Sequence, residues 1–318
     1  MRSFQRRGES HILNFDVLFC HHSACGSGSF FANAGPQTVD RELIVTARLS
    51  LPELQAKAKA VRREIITSTT AAGSGHPTSS LSATDVAVAL YFSVMRYDAK
   101  NPTWPGRDRF ILSKGHAAPL LYAVLAEAGY FGVDTLPTLR KIGSPLEGHP
   151  NMRRLPGVEA STGSLGQGLS IGVGAALAAR LDNTEARIYV MAGDGELGEG
   201  QVWEACMSAA KYNLDNLVLI VDQNGFQQTG ATKDVLDLRP LAPRFEAFGW
   251  FAQEINGHDL GEILAAFDKA RHIKGKPSAI VARTIKGYPI HTILTSDPNH
   301  HGKPLTKDEA DKALAMIG

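Results

Sequence analysis

The chain has 318 residues, 43% hydrophobic and 20% charged, the profile of a globular protein long enough for one large α/β domain or about two ordinary ones. Its 33 basic and 32 acidic side chains leave a net charge of +1, so no overall field draws in a nucleic acid or an anionic membrane surface. No apolar run approaches the roughly 18 residues of a membrane span. The three cysteines, Cys20, Cys25 and Cys206, are an odd and sparse set rather than a disulfide framework, which points to a reducing cytoplasm.

Residues 1–45 show neither a helical nor a strand period and read as a disordered tail or an upstream-misplaced start. Arg2, Arg6 and Arg7 precede an apolar stretch broken by Asn14 and Asp16, a poor signal-peptide core. Cys20, His21, His22 and Cys25 lie at the edge of zinc spacing, but no second ligand pair follows, so zinc is not expected. One folded domain is expected over 46–318.

From Leu51 the periodicity sharpens. Pro52 opens a helix with Leu54, Ala58, Val61, Ile65 and Ile66 on one face. A second helical stretch is predicted from Ser82 to Val94. Apolar strand-like runs follow at 109–113, 187–193, 217–222, 250–255 and 278–283, separated by helical stretches, one after Gly200 and another from about Leu260. The runs lack polar alternation, as strands covered by helices on both faces do. The expected fold is therefore α/β, a doubly wound, mostly parallel sheet with helices on both faces. Cys206 falls on the apolar face of the helix after Gly200, beside Val202 and Ala209, and reads as a small core residue. Leu169, Val173, Ala176 and Leu177 mark the buried stripe of another helix.

Ligands bind beyond the carboxyl ends of such strands. After the run at 187–193 comes Gly193-Asp194-Gly195-Glu196-Leu197-Gly198, which literally matches a dinucleotide fingerprint, with Asp222 ending the next strand where a ribose-binding acid would sit. A nicotinamide-dependent dehydrogenase is thus a rival reading. Charge argues against it. A bare pyrophosphate rests on backbone N–H groups, and Asp194, Glu196 and Glu199 crowd this turn with carboxylates. A divalent cation between acid and phosphate removes the conflict, because Mg²⁺ takes one or two carboxylates together with phosphate oxygens. Asn224 and the backbone carbonyl of Phe226, just past the next strand, are candidates for further oxygen ligands.

At these residues the chain resembles the transketolases. GDG, a spacer and an asparagine is the thiamine-diphosphate motif of that family, and EGQVWEA and LDNLVLIVDQN match it too. So do GSGHPTSS (73–80), SKGHAAPLLYAVLAEAG (113–129), EGHP (147–150), STGSLGQGLS (161–170), TIKG (284–287) and HGKPL (301–305), in family order. The resemblance covers about residues 55 to 306. It implies a thiamine-diphosphate-binding fold and Mg²⁺ or Ca²⁺ held by Asp194, Asn224 and the Phe226 carbonyl. It also implies cofactor contacts from Ser79, His116, Gly195, Asn224, Lys286 and His301, and from Gly163, Ser164 and Leu165 against the cofactor rings. Gln228 matches a family glutamine near the cofactor. His76, His149 and His301 would line the substrate channel and manage protons on the sugar. Lys114 reads either as cofactor-adjacent or as loop-forming.

The implied reaction moves a two-carbon ketol unit from a ketose phosphate to an aldose phosphate, as in the pentose phosphate pathway. In this family a glutamate on a following pyrimidine-binding domain activates the cofactor, and no such domain follows here. The expectation is an N-terminal subunit of a split transketolase, working with a separate C-terminal subunit in an α2β2 assembly. A related two-carbon transferase acting on another sugar and a non-catalytic scaffold subunit stand beside it.

Overall fold

A computed structural model describes residues 48–294 and 297–318. The amino-terminal tail and its Cys20–Cys25 cluster lie outside the described residues, which belong to one unit, Glu42–Gly318. Five strands form the central sheet: β1 (Arg109–Leu112), β2 (Ile188–Gly193), β3 (Leu217–Gln223), β6 (Phe251–Asn256) and β7 (Ser278–Arg283). A short hairpin, β4 (Phe226–Gln227) and β5 (Gly230–Ala231), stands apart from them. The order is β1-β2-β3-β7-β6, and every pairing in the sheet is parallel. The chain thus runs outward from β3 to the edge strand β6, then returns to insert β7 between them.

Strand alternation sorts the core into two layers. On one face Phe110, Leu112, Tyr189, Met191, Val218 and Ile220 pack under α1 (Leu51–Ala72), α3 (Thr84–Ala89), α4 (Ala118–Glu127) and α9 (Leu260–His272). On the other, Ile188, Val190, Leu217, Leu219 and Val221 pack under α5 (Gln167–Leu181), α6 (Gly200–Lys211) and α8 (Leu241–Ala247). Because both faces are covered, the strands carry unbroken apolar runs.

Local chemistry sets the element ends. The Ser50 N–H donates to Glu53 Oε2 at 2.7 Å, satisfying a donor at the start of α1, and Leu54, Ala58, Val61, Ile65 and Ile66 are all buried. The helical stretch expected from Ser82 to Val94 is instead broken. α2 (Pro77–Ser82) stops at Ala83, α3 follows, and Leu90–Val94 winds as a π-helical turn. Side-chain hydroxyls explain the break. Ser80 Oγ donates to the His76 carbonyl at 2.9 Å and Thr84 Oγ1 to that of Ser80 at 3.1 Å, competing with the regular ladder. The run expected at 250–255 begins one residue later. Trp250 leaves the strand, buries beside Phe245 and donates its indole N–H to the Cys206 carbonyl at 3.0 Å. α7 (Thr232–Val235) and α10 (Lys307–Ile317) complete the chain, the latter opened by Thr306 and Glu309 in a capping box.

Candidate active site

The strand ends bring the candidate residues together. Asp194 follows β2, Asn224 and Phe226 follow β3, Lys286 follows β7, and His116 follows β1. α2 carries Ser79, with His76 at its amino-terminal cap. The His76, His116 and His301 rings form a mutual cluster with centroids 5.1–5.3 Å apart. Lys286 Nζ donates to Asn299 Oδ1 at 2.6 Å and to His301 Nδ1 at 3.0 Å, and lies 5.9 Å from the Phe226 ring centre.

Loop 162–165 closes another side. Gly163 has φ of 145°, and a Cβ there would sit 2.9 Å from Cδ2 of His149, so only glycine fits between backbone and imidazole. Ser164 and Leu165 beside it are exposed, as is His149.

Burial shapes the electrostatics. Desolvation, and then the neighbouring His301, Arg140, His149 and Lys286, hold His76 down to about 3. His301 is held at about 4 by burial, Lys286 and Lys114. His116 and His149 are lowered for the same leading reason. These imidazoles are therefore neutral near pH 7, each with one N–H to donate and one nitrogen to accept. Lys286 is lowered to about 8, by burial first and Lys114 second. Arg140 reaches the same rim, its Nη1 donating to Ser74 Oγ at 2.7 Å.

The acidic turn after β2 sorts into three different environments. Glu199 is exposed. Glu196 is buried and accepts from the Gly166 N–H at 2.9 Å, the Gly193 N–H at 3.1 Å and the Ser113 hydroxyl, so it is a tie between three loops. Asp194 is buried too, but it is tied to its own turn and to the segment after β3. Its Oδ1 accepts from the Gly195 N–H at 3.0 Å and its Oδ2 from the Gly225 N–H at 2.9 Å. Burial and then the nearby Asp222 carboxylate push it up to about 6, against the smaller pull of the Gly225 and Gly195 N–H groups and of Lys114.

Dinucleotide binding fails on this geometry. Glu196 and Asp194 already occupy the N–H groups of Gly193 and Gly195. Asp222, placed by sequence as a ribose acid, is 1% exposed and salt-bridged to the equally buried Lys114. Lys114 and Asp222 are what sequence reading missed as a pair. A buried lysine opposite a strand-end acid leaves no periodic trace in the chain.

A divalent cation fits the donor set. Asp194 and Asn224 supply side-chain oxygens, the kind Mg²⁺ and Ca²⁺ prefer over zinc. Among the described residues no group of three His, Cys, Asp or Glu is arranged to hold a metal. A cation here needs oxygens from a ligand as well.

A parallel sheet whose strand ends gather a buried Gly-Asp-Gly acid, an asparagine one strand over and a lysine–histidine set is the architecture of the thiamine-diphosphate class of α/β domains. The family model "Transketolase, thiamine diphosphate binding domain" matches residues 54–318. The chain belongs to the transketolase family.

It is 46% identical over 235 residues to 6-deoxy-6-sulfo-D-fructose transketolase subunit SqwG of Clostridium sp. (strain MSTE9), covering 74% of this chain and 86% of that one. It is 43% identical over 270 residues to one subunit of the apulose-4-phosphate transketolase of Actinobacillus succinogenes, covering 85% and 97%. Human transketolase is 45% identical over 268 residues, but there the match spans 84% of this chain and only 42% of the human protein. Among solved structures, Campylobacter jejuni transketolase superposes with a TM-score of 0.79 at 35% identity, over 85% of this chain and 43% of that one.

Proposed function

We propose that this chain is the diphosphate-binding subunit of a two-chain transketolase, transferring a two-carbon ketol unit between sugar phosphates. The observation that carries this reading is the juxtaposition of the Asp194–Asn224 oxygen pair with Lys286 and the His76–His116–His301 cluster at one end of the sheet. Asp194, Asn224 and the Phe226 carbonyl hold Mg²⁺ or Ca²⁺ against the diphosphate. Lys286 adds positive charge there, with Ser79, His116, Gly195 and His301 as further contacts. Gly163, Ser164 and Leu165 would lie against the cofactor rings. Thiamine diphosphate, when bound, supplies the electron sink for C–C cleavage.

The chain's own part is orientation and proton handling. Neutral His76, His149 and His301 donate to and accept from the sugar hydroxyls, and an imidazole beside a reacting hydroxyl takes or returns its proton. Two of the relatives are named as subunits, which supports a separate C-terminal chain carrying the pyrimidine-binding domain, in an α2β2 assembly. No described helix is long and apolar enough to cross a membrane. We place the protein in the cytoplasm on its sparse cysteines; Cys206 is buried, with its thiol pushed up to about 12 by desolvation.

The test is an activity panel with and without the partner chain, thiamine diphosphate and Mg²⁺. It includes 6-deoxy-6-sulfofructose and apulose 4-phosphate, the sugars in two relatives' names, beside pentulose and hexulose phosphates. Turnover is expected only with all three additions. Robust turnover by the isolated chain overturns the two-chain reading.

A further inference from the structure

Asp222 is the penultimate residue of the central strand β3 and accepts from Ser82, Lys114, Asn224 and Thr284. Its Oδ2 accepts from Ser82 Oγ at 2.7 Å, from Asn224 Nδ2 at 2.9 Å and from the Lys114 ammonium. Its Oδ1 accepts from Thr284 Oγ1 at 2.5 Å. Lys114 Nζ also donates to the Ser79 carbonyl at 2.9 Å. Both partners of the Lys114–Asp222 bridge have side chains 1% exposed. Such a pair is weak as a source of stability, because removing two charges from water offsets most of their attraction. Its geometry suggests a different use.

An ionised carboxylate only accepts, whereas the two ends of an asparagine amide are nearly the same shape and opposite in chemistry. The end of Asn224 that faces Asp222 must therefore be Nδ2. Its Oδ1 is left facing the other way, where it accepts from the Phe226 N–H at 3.0 Å on the side of the Asp194 loop. We infer that Asp222 is a positioning residue that locks the Asn224 amide with its oxygen presented to the divalent cation. This rests on the metal-bridged reading of the site given above.

Titration calorimetry of thiamine diphosphate into the full-length chain, with and without Mg²⁺, tests it as a double-mutant cycle. Asparagine at 222 offers either an acceptor or a donor, so Asp222→Asn removes one of the two contacts that orient the Asn224 amide and leaves the Phe226 N–H as the other. Loss of such an outer contact typically weakens metal binding roughly 10–100-fold, and a drop of that order in Mg²⁺-dependent affinity is expected. In an Asn224→Asp background the side chain has an oxygen at both ends and needs no orienting. There Asp222→Asn should leave affinity unchanged or raise it, since it also relieves two facing carboxylates. An equal loss in both backgrounds overturns the inference and leaves Asp222 a loop scaffold.

Should Asp222→Asn fail to fold, Lys114→Met and Asp222→Asn are introduced together, so that neither buried charge outlives its partner, and the pair is compared with the parent chain in both backgrounds. As a further control, Ser82→Ala and Thr284→Val remove other donors to Asp222 but keep its bond to Asn224. Their Mg²⁺-dependent affinity should stay within about twofold of wild type, and a loss matching that of Asp222→Asn overturns the inference. Wild-type chain that binds thiamine diphosphate equally with and without Mg²⁺ instead overturns the metal reading itself.

Discussion

Lys286 Nζ lies 3.0 Å from Nδ1 of His301. An ammonium only donates, so Nδ1 must accept and the ring must be neutral, with its proton on Nε2. That tautomer aims an N–H, rather than a lone pair, away from the lysine.

The neutral imidazoles give stability a pH dependence of definite sign. His76 and His301 are held at about 3 and about 4 by burial and nearby cations, against roughly 6.5 in an unfolded chain. As pH falls below 6.5 the unfolded state takes up protons that the native state refuses, so this stability is present above 6.5 and is lost towards 4 and then 3. The melting temperature should fall between pH 7 and 4.5. His76→Gln should show a shallower fall, and an unchanged slope would mean that His76 is not held neutral.

Glu196 joins three loops from one carboxylate. Glu196→Ala leaves two buried N–H groups and a hydroxyl unpaired, so a loss of about 3 kcal/mol is expected in urea denaturation. Glu196→Gln keeps an acceptor at one end and should cost less. Equal losses for the two would show that packing alone is at stake.

Gly163 combines a φ of 145° with close approach to His149. Gly163→Ala must either strain the backbone or push the imidazole aside, at a cost of about 1–3 kcal/mol. A lower melting temperature and weaker thiamine diphosphate binding are expected together. Weaker binding with no change in melting would place the clash on the cofactor rather than on His149.

Away from the site, Arg62 Nη2 donates to Asp85 Oδ2 at 2.5 Å, and the same oxygen meets His258 Nδ1 at 2.9 Å. Arg62→Ala removes the cation beside the buried Asp85 carboxylate, leaves it the His258 contact and should cost about 3 kcal/mol. Removing both partners should cost less than the two single losses added, a difference that chemical denaturation of the four proteins reads directly.

Asp194 joins β3 through its backbone, the N–H donating to the Asp222 carbonyl at 3.2 Å, a bond that a side-chain change keeps. Asp194→Ala is expected to keep the circular dichroism of the wild type while abolishing Mg²⁺-dependent thiamine diphosphate binding. Unchanged affinity would exclude the metal bridge.

How much of this was legible in the chain depends on the range of the interactions. The five sheet strands and the helix from Leu51 were read from apolar runs, because burial on two faces or one writes itself into local periodicity. Motif order likewise marked Asp194, Asn224, Lys286 and the histidines as candidates. The break at Ala83 was missed because hydroxyl-to-backbone bonds compete with a helix without changing its apolar pattern. The hairpin of β4 and β5 was missed because two-residue strands carry no period.

Sequence alone also argued that the acids of the Gly-Asp-Gly turn conflict with a bare pyrophosphate, since charge is countable without coordinates. Where each acid turns was a question only tertiary structure could answer. Glu196 turns inward to Ser113, 83 positions away, Asp222 is neutralised by Lys114 across 108, and Asp194 accepts from Gly225, 31 positions on. Those pairings depend on the parallel sheet bringing the ends of β1, β2 and β3 side by side, and no local pattern records which buried charges will then meet.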